Sequence, residues 1–405
     1  MSPRIDVLCF SHLRWRAQQL RAHQLLRRCA AEHRVFFVEE PIYDDGTVRM
    51  ELGDGGGNVV VVTPYLPVGL SDKKELASLK RLIDVLVVDH DIREHVLWLT
   101  TPNAAPHTRH LRPLVTVYDV MDDLHGPRGA PEVLREREQE LLQRATFVLA
   151  DGEQLAEPRR RHHARVVVLP SGVDVAAYQR GGSEPEELKD IPRPRLGVLC
   201  PLDERLDTEL LCAMADARPQ WHWVLVGPST WQSRGRIPRR DNVHHVGLRP
   251  LEETPGLLAA LDVVTMPLLP QLPARPLSAA RVLECLAADR PVVATVVAPE
   301  VQSVVGAELV QVAGEGSGFL AHVEAALAGQ VPRNAERRAE HLAHTSWDDT
   351  WARARTLLQD AITASLRVTL PPLMPSLSPP TPLPVQQPVA PASHDAQLTA
   401  GAGSG

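Results

Sequence analysis

"LSAARVLECLAADRPVVAT" (277–295) runs a helix-like block into a burst of β-branched residues across a short break. A helix delivering the chain into a short, fully apolar strand is the repeating unit of a parallel sheet. The block also carries Arg281 and Glu284, three residues apart, which places both on one helix face. Two questions follow from the stretch: whether the unit repeats, and whether the two charges serve each other or a ligand.

The unit repeats in both directions. Upstream, within the same half, lie "LGVLC" (196–200), "WHWVLVG" (221–227), "NVHHVG" (242–247) and "LDVVTMP" (261–267); downstream lies "AELVQVA" (307–313). Helical patterns at about 206–217, 251–260, 279–288 and 316–329 fill the gaps. The first half repeats the scheme. Its strands are "RIDVLCF" (4–10), "RVFFVE" (34–39), "NVVVVT" (58–63), "VLWLT" (96–100), "LVTVYD" (114–119), "FVLAD" (147–151) and "RVVVLP" (165–170). Helices are expected at about 17–31, 72–88, 132–144 and 153–161. Near-continuous Val, Ile and Leu suit strands covered on both faces. The fold class is therefore α/β, with two Rossmann-like parallel-sheet domains.

Between the halves, "GGSEPEELKDIPRPR" (181–195) is rich in Gly, Pro and charge and breaks the pattern. The expected organisation is a first domain over 1–175, a linker over 176–194 and a second domain over 195–345. A C-terminal helix over 346–369 follows, then a Pro-rich, disordered tail over 370–405 that lacks the apolar content for a core. A passive tail is the better reading of that segment than a ligand for a proline-recognising partner.

Composition narrows the function classes. Of 405 residues 44% are hydrophobic, enough for two cores, and the net charge of −7 gives no bulk drive toward nucleic acid. Five cysteines without a C-x-x-C pair fit reduced thiols and a cytoplasmic setting. The N-terminus has no long apolar run, and no stretch approaches the roughly 18 apolar residues of a membrane span. The basic "RRRHHAR" (159–165) reads as a solvated helix end, with a peripheral contact to anionic lipid at the inner face of the membrane as its alternative.

Familiar site motifs fail on context. The loop after the first strand is "SHLRW" and not G-x-G-x-x-G, which disfavours a dinucleotide. "GDGGGN" (53–58) precedes a strand, lacks the Lys-Ser/Thr ending of a phosphate loop and reads as a turn. The histidine pairs in "RHH" (161–163) and "HH" (244–245) are adjacent rather than helix-spaced, so no metal is expected. No G-x-S-x-G supports a serine hydrolase.

In the opening stretch Ser278 is a candidate N-cap, ahead of Arg281 and Glu284. A helix start offers free N–H groups to a diphosphate, with Arg281 beside it and Glu284 to accept from ribose hydroxyls. On spacing alone an i,i+3 salt bridge is the better reading of the pair. Context adds Arg205, in the loop after the second domain's first strand, and Arg275 in "QLPARPLS". Arginines converging on a diphosphate would stabilise a leaving group gaining negative charge.

In order along the chain stand "LCFSHLRW", "RVFFVEEP", "LWLTTP", "VYDVMDDL", "LPSGVD", "DERLD", "VGP", "LDVVTMP" and "HTSWDDTW". Together, over about residues 4–365, they resemble a bacterial glycosyltransferase of the group 1 type with the GT-B architecture. The nearest kind is the teichuronic-acid or cell-envelope polysaccharide transferase. The resemblance implies a hexosyltransferase that takes a nucleoside-diphosphate sugar as co-substrate, without metal or other cofactor. The donor would be held mainly by the second domain and a glycan or lipid-linked acceptor mainly by the first. It implies donor contacts from Arg205, Arg275, Ser278, Arg281 and Glu284, with Arg205 and Arg281 serving catalysis. Asp119 and Asp122 match a cleft-facing acidic stretch that orients hydroxyls, or acts as base in an inverting enzyme; capping the next helix is an equal reading of Asp122. His12 and Arg21 fall on the acceptor side. The chain departs from the family at "SAAR" (278–281), often S-P-T-K, at Pro276, at Asp289 where relatives have Gly, and at "LRAHQ" (20–24). These departures keep open a non-catalytic relative that binds a nucleotide sugar or a protein. A sugar-nucleotide epimerase on the same fold is the third alternative.

Overall fold

A computed structural model describes residues 4–16, 21–121, 131–200, 202–227, 237–247, 249–269, 277–296, 305, 308–313, 316–332 and 334–369. The first half forms β1 (Ile5–Ser11), α1 (Arg21–Cys29), β2 (Val35–Glu39), β3 (Ile42–Asp44), β4 (Arg49–Asp54) and β5 (Val59–Pro67). It continues with α2 (Asp72–Asp89), β6 (Glu94–Leu99), α3 (Ala105–Thr108), β7 (Val115–Val120), α4 (Glu132–Arg144), β8 (Phe147–Ala150), α5 (Glu153–Arg160) and β9 (Val166–Val168). The strands order as β3-β5-β2-β1-β6-β7-β8-β9, all parallel except β4, which pairs antiparallel with β5.

Successive residues of β1 explain the apolar runs. Val7 and Cys9 face α1, together with Leu25 and Leu26. Leu8 and Phe10 face the other layer, with Ile83 and Leu86 of α2 and Leu141 and Leu142 of α4. Each strand is thus buried on both faces, and a two-residue alternation is invisible in its sequence. β3 and β4 were not expected, because "IYDDGTVRMELGD" lies at the sheet edge, half or fully exposed, and carries no doubly apolar run.

The second half forms α6 (Val175–Arg180), α7 (Glu186–Lys189), β10 (Arg195–Leu199), α8 (Thr208–Ala217), β11 (His222–Val226), β12 (Val243–Gly247), α9 (Thr254–Ala260), β13 (Val263–Met266), α10 (Leu277–Ala287), β14 (Val292–Ala294), β15 (Gln311–Val312), α11 (Gly316–Leu327) and α12 (Ala335–Leu342). Its sheet is parallel in the order β12-β11-β10-β13-β14-β15. The stretch read as a linker contains α6 and α7. Tyr178, Leu188 and Ile191 anchor it in the core beneath α9 and α10, so its first function is packing. Polar composition hid the three apolar anchors.

The last helix, α13 (Trp347–Thr369), crosses back to the first domain. Trp351, Ala354 and Leu358 pack beside Leu25 and Leu26 of α1, and Arg28 pairs with Asp348 at 2.6 Å. The outgoing and returning strands touch where they pass: Val173 N–H donates to the Thr345 carbonyl at 2.7 Å. A Cβ on Gly172 would lie 2.5 Å from the Trp347 nitrogen, so only glycine fits that crossing. Among the described residues no helix is long and apolar enough to cross a membrane.

Candidate functional site

In an open parallel sheet, the loops diverge where the strand order reverses, and ligands bind at that switch point. In the second domain it lies between β10 and β13. The two loops there are tied together. Asp207 N–H donates to the Pro267 carbonyl and Leu269 N–H to the Arg205 carbonyl, both at 2.8 Å. Arg205 therefore has its backbone fixed at the switch point. Its guanidinium grips Asp203 with three bonds, Nε to Oδ1 at 2.9 Å and to Oδ2 at 3.1 Å, and Nη2 to Oδ2 at 2.6 Å. Asp203 also accepts from the Arg205 N–H at 3.0 Å, an Asx turn that the two-residue spacing makes natural.

Two segments on, α10 carries Arg281 and Glu284. They form the i,i+3 salt bridge, with Nη1 and Oε2 2.5 Å apart and both side chains mostly covered. Burial opposes charge on Arg281, but Glu284 and Tyr178 beside it hold its pKa raised. Tyr178, from α6, is 6% exposed and its hydroxyl faces Glu284. Burial and the Glu284 charge together push that phenol up. Tyr178 was not foreseen, since it lies in the stretch read as a linker.

α10 ends as a Schellman motif. Arg290 N–H reaches the Cys285 carbonyl at 2.9 Å and Asp289 N–H reaches Leu286 at 3.1 Å. Asp289 takes φ +54°, the left-handed conformation a glycine would adopt, and Arg338 pairs with its carboxylate. The helix as described runs from Leu277, which places Ser278 within it. Arg275 and Asp122 lie outside the described residues.

In the first domain the structure joins two predicted residues in an unforeseen way. Arg21 opens α1 and is 4% exposed; Asp119, near the end of β7, is fully buried. Arg21 Nε donates to Asp119 Oδ1 at 2.9 Å, and its Nη1 reaches Asp151 Oδ1 at 3.4 Å and the Leu169 carbonyl at 2.5 Å. Ser171 donates its hydroxyl to Asp151 Oδ2 at 2.8 Å. Burial, only partly offset by Arg21, holds the Asp151 carboxyl above its ordinary range. The expectation of a cleft-facing Asp119 is thereby corrected. The side chain is fully buried with its Oδ1 held by Arg21, while its Oδ2 has no hydrogen-bond partner. Arg21 is likewise buried and held within the domain. Asp151 was missed; an acid following each of two adjacent strands, "VYD" and "LAD", was the available signal.

His12 lies half-buried in the loop after β1. Glu39, at the end of β2, fixes that loop, accepting from Arg14 Nη1 at 2.9 Å and the Trp15 N–H at 2.8 Å. Among the described residues no group of three or more His, Cys, Asp or Glu side chains could hold a metal ion.

Residues 204–331, which span Arg205, Arg281 and Glu284, match the family described as Glycosyl transferases group 1. A search of curated proteins by sequence found no match. The fold is that of known two-domain structures. Sucrose-phosphate synthase from Thermosynechococcus elongatus superposes with TM-score 0.66 at 15% identity, covering 89% of this chain and 100% of that one. Anabaena Alr3699/HepE, solved with UDP and glucose, gives 0.65 at 16% identity over 88% and 100%. The α,α-trehalose 6-phosphate synthase of Burkholderia multivorans gives 0.62 at 13% identity over 91% and 100%. The architecture is GT-B.

Proposed function

We propose that the chain is a metal-independent hexosyltransferase that moves a sugar from a nucleoside-diphosphate donor to a cell-envelope glycan or lipid-linked acceptor. One observation carries the reading. Arg205 is fixed at the switch point of the second sheet, within the same matched segment that places Arg281 and Glu284 on α10. The diphosphate would draw Arg205 from Asp203 and Arg281 from Glu284, exchanging internal carboxylates for phosphate oxygens. Glu284, so released, would accept from the ribose hydroxyls, with Ser278 and Arg275 completing the donor wall. If the sugar's configuration is retained, the departing phosphate can take the acceptor proton, and the side chains supply charge stabilisation and orientation.

Supporting the donor class, the Anabaena neighbour was solved with UDP and glucose. The same pairs favour a second reading. With both arginines closed onto carboxylates, a non-catalytic nucleotide-sugar binder would look no different. Titration with UDP-, GDP- and dTDP-sugars, followed by donor hydrolysis, tests both. Binding with turnover supports the transferase, and binding without turnover toward any acceptor supports the binder. If no nucleotide sugar binds, and Arg281→Ala and Glu284→Ala change nothing, neither reading stands.

A further inference from the structure

The first domain holds a cavity of about 490 Å³ that none of the predicted site residues lines. It opens at the carboxyl ends of β1 and β2 and is walled by α2 and the turn Pro102–Ala104. It adjoins that sheet's own switch point, between β1 and β6, where the Thr100 hydroxyl donates to Ser11 Oγ at 2.9 Å. Its size falls in the range of small-molecule sites, and its position is where open parallel sheets take ligands.

Its chemistry is two-sided. The floor is apolar, built from Phe10, Leu79, Ile83 and Leu86. The rim carries the carboxylates Glu39, Glu40, Asp72 and Glu75. Glu39 is occupied by Arg14, Trp15 and Thr63, and Glu75 accepts from the Tyr43 hydroxyl at 2.8 Å. Glu40 and Asp72 have no hydrogen-bond or ion-pair partner among the described residues. Asp72 in the first turn of α2 also suits that helix's dipole, but the dipole does not account for Glu40. Opposite charge stands mostly outside the lining, as Arg14 on Glu39 and Lys80 near His107. Arg137 is the one lining arginine among the described residues, and its Nη1 donates to Asn103. His107 adds none near neutral pH, since burial, then Arg137, push its pKa down to about 4. The excess of negative charge is felt nearby. Tyr43 is pushed up to about 12 by burial, Glu75 and Glu40.

We propose that this cavity binds an amine-bearing amphiphile, with its apolar body in the hollow and its ammonium group at the Glu40–Asp72–Glu75 rim. A phosphate-bearing molecule of the same shape would meet like charge on desolvation and be rejected. Its role as acceptor rests on the transferase reading; its chemistry does not. Within that reading, the portion of the acceptor held by the first domain carries an amine and not a phosphate.

Three probes of one shape and different charge test the proposal on the full chain, below their micellar concentrations and without nucleotide. They are n-octyl β-glucoside, its 2-amino-2-deoxy analogue and its 6-phosphate, titrated calorimetrically. The amino probe should bind about fivefold tighter than the neutral one at low salt, the effect of two partly exposed ion pairs, and the phosphate weakest. Glu40→Gln with Asp72→Asn should erase the preference, and Leu76→Trp, which fills the hollow, should weaken all three probes. No binding by any probe, a phosphate that binds as well as the amine, or an order that survives the double variant would each overturn it. UDP titrated into the same sample separates the two readings. Bound UDP without an amine preference sinks this inference alone. An amine preference without nucleotide binding sinks the transferase and leaves the cavity standing.

Discussion

Arg21 in the first domain and Arg281 in the second both meet carboxylates, and the two pairs are built in opposite ways. Arg281 and Glu284 are neighbours on one helix face, partly exposed, and formed as soon as the helix forms. Arg21 gathers Asp119 and Asp151, 98 and 130 residues away, with the arginine and Asp119 buried and Asp151 at the margin of the site. Removing one partner of a buried pair strands a charge, whereas a partly exposed local pair can trade its partner for a ligand. The difference teaches that the same residue types form a long-range clamp in one domain and a local pair in the other, which the proposed function reads as an exchangeable anion site.

The largest test of that contrast is Arg21→Ala. It leaves the buried Asp119 and the mostly covered Asp151 without their cation and should lower unfolding stability by about 3–5 kcal/mol, read from urea denaturation. The deficit should shrink as pH falls toward 4. A raised carboxyl contributes stability below its ordinary range and loses it as pH rises, and Asp151 is raised further once the guanidinium is gone. A loss under about 1 kcal/mol would mean that the pair is not the clamp described.

Arg281→Ala should cost less stability than Arg21→Ala, about 1–2 kcal/mol, because one mostly covered carboxylate on the same helix loses its cation. It should weaken UDP binding by roughly tenfold to a hundredfold, the worth of charged hydrogen bonds to phosphate. Equal losses of stability and affinity would erase the contrast between the domains.

Asp203→Asn sharpens it further. With the competing carboxylate gone, Arg205 is free for phosphate, and UDP affinity should rise about threefold in low salt and less in high salt. Unchanged affinity would show that Arg205 never leaves Asp203.

The smallest effect belongs to Asp289→Gly, at the end of the helix that bears Arg281. Relief of the left-handed backbone and loss of the Arg338 pair nearly cancel, so thermal unfolding should shift by less than about 0.5 kcal/mol equivalent. A loss above about 1 kcal/mol would give the ion pair more weight than the backbone.

Much of the candidate site in the second domain was legible because its interactions are local. Arg281 with Glu284, and the left-handed turn at Asp289, all fall within one helix and its end. Tyr178 was not legible, because only packing of α6 against α10 brings it there. Asp119 was misread for a related reason. Its chemistry suits a cleft, but a strand-terminal side chain faces substrate or core according to which helix start lies above it, and here Arg21 lies above it.

The sequence by itself determined the alternation of helices and apolar strands, and with it two parallel sheets, because burial on both faces writes itself into contiguous residues. Tertiary structure alone decided that the last helix returns to the first domain, that the apparent linker is anchored in the second, and that an acid-rimmed hollow opens beside Ser11. Each of these depends on residues dozens to hundreds of positions apart, whose meeting no local period encodes.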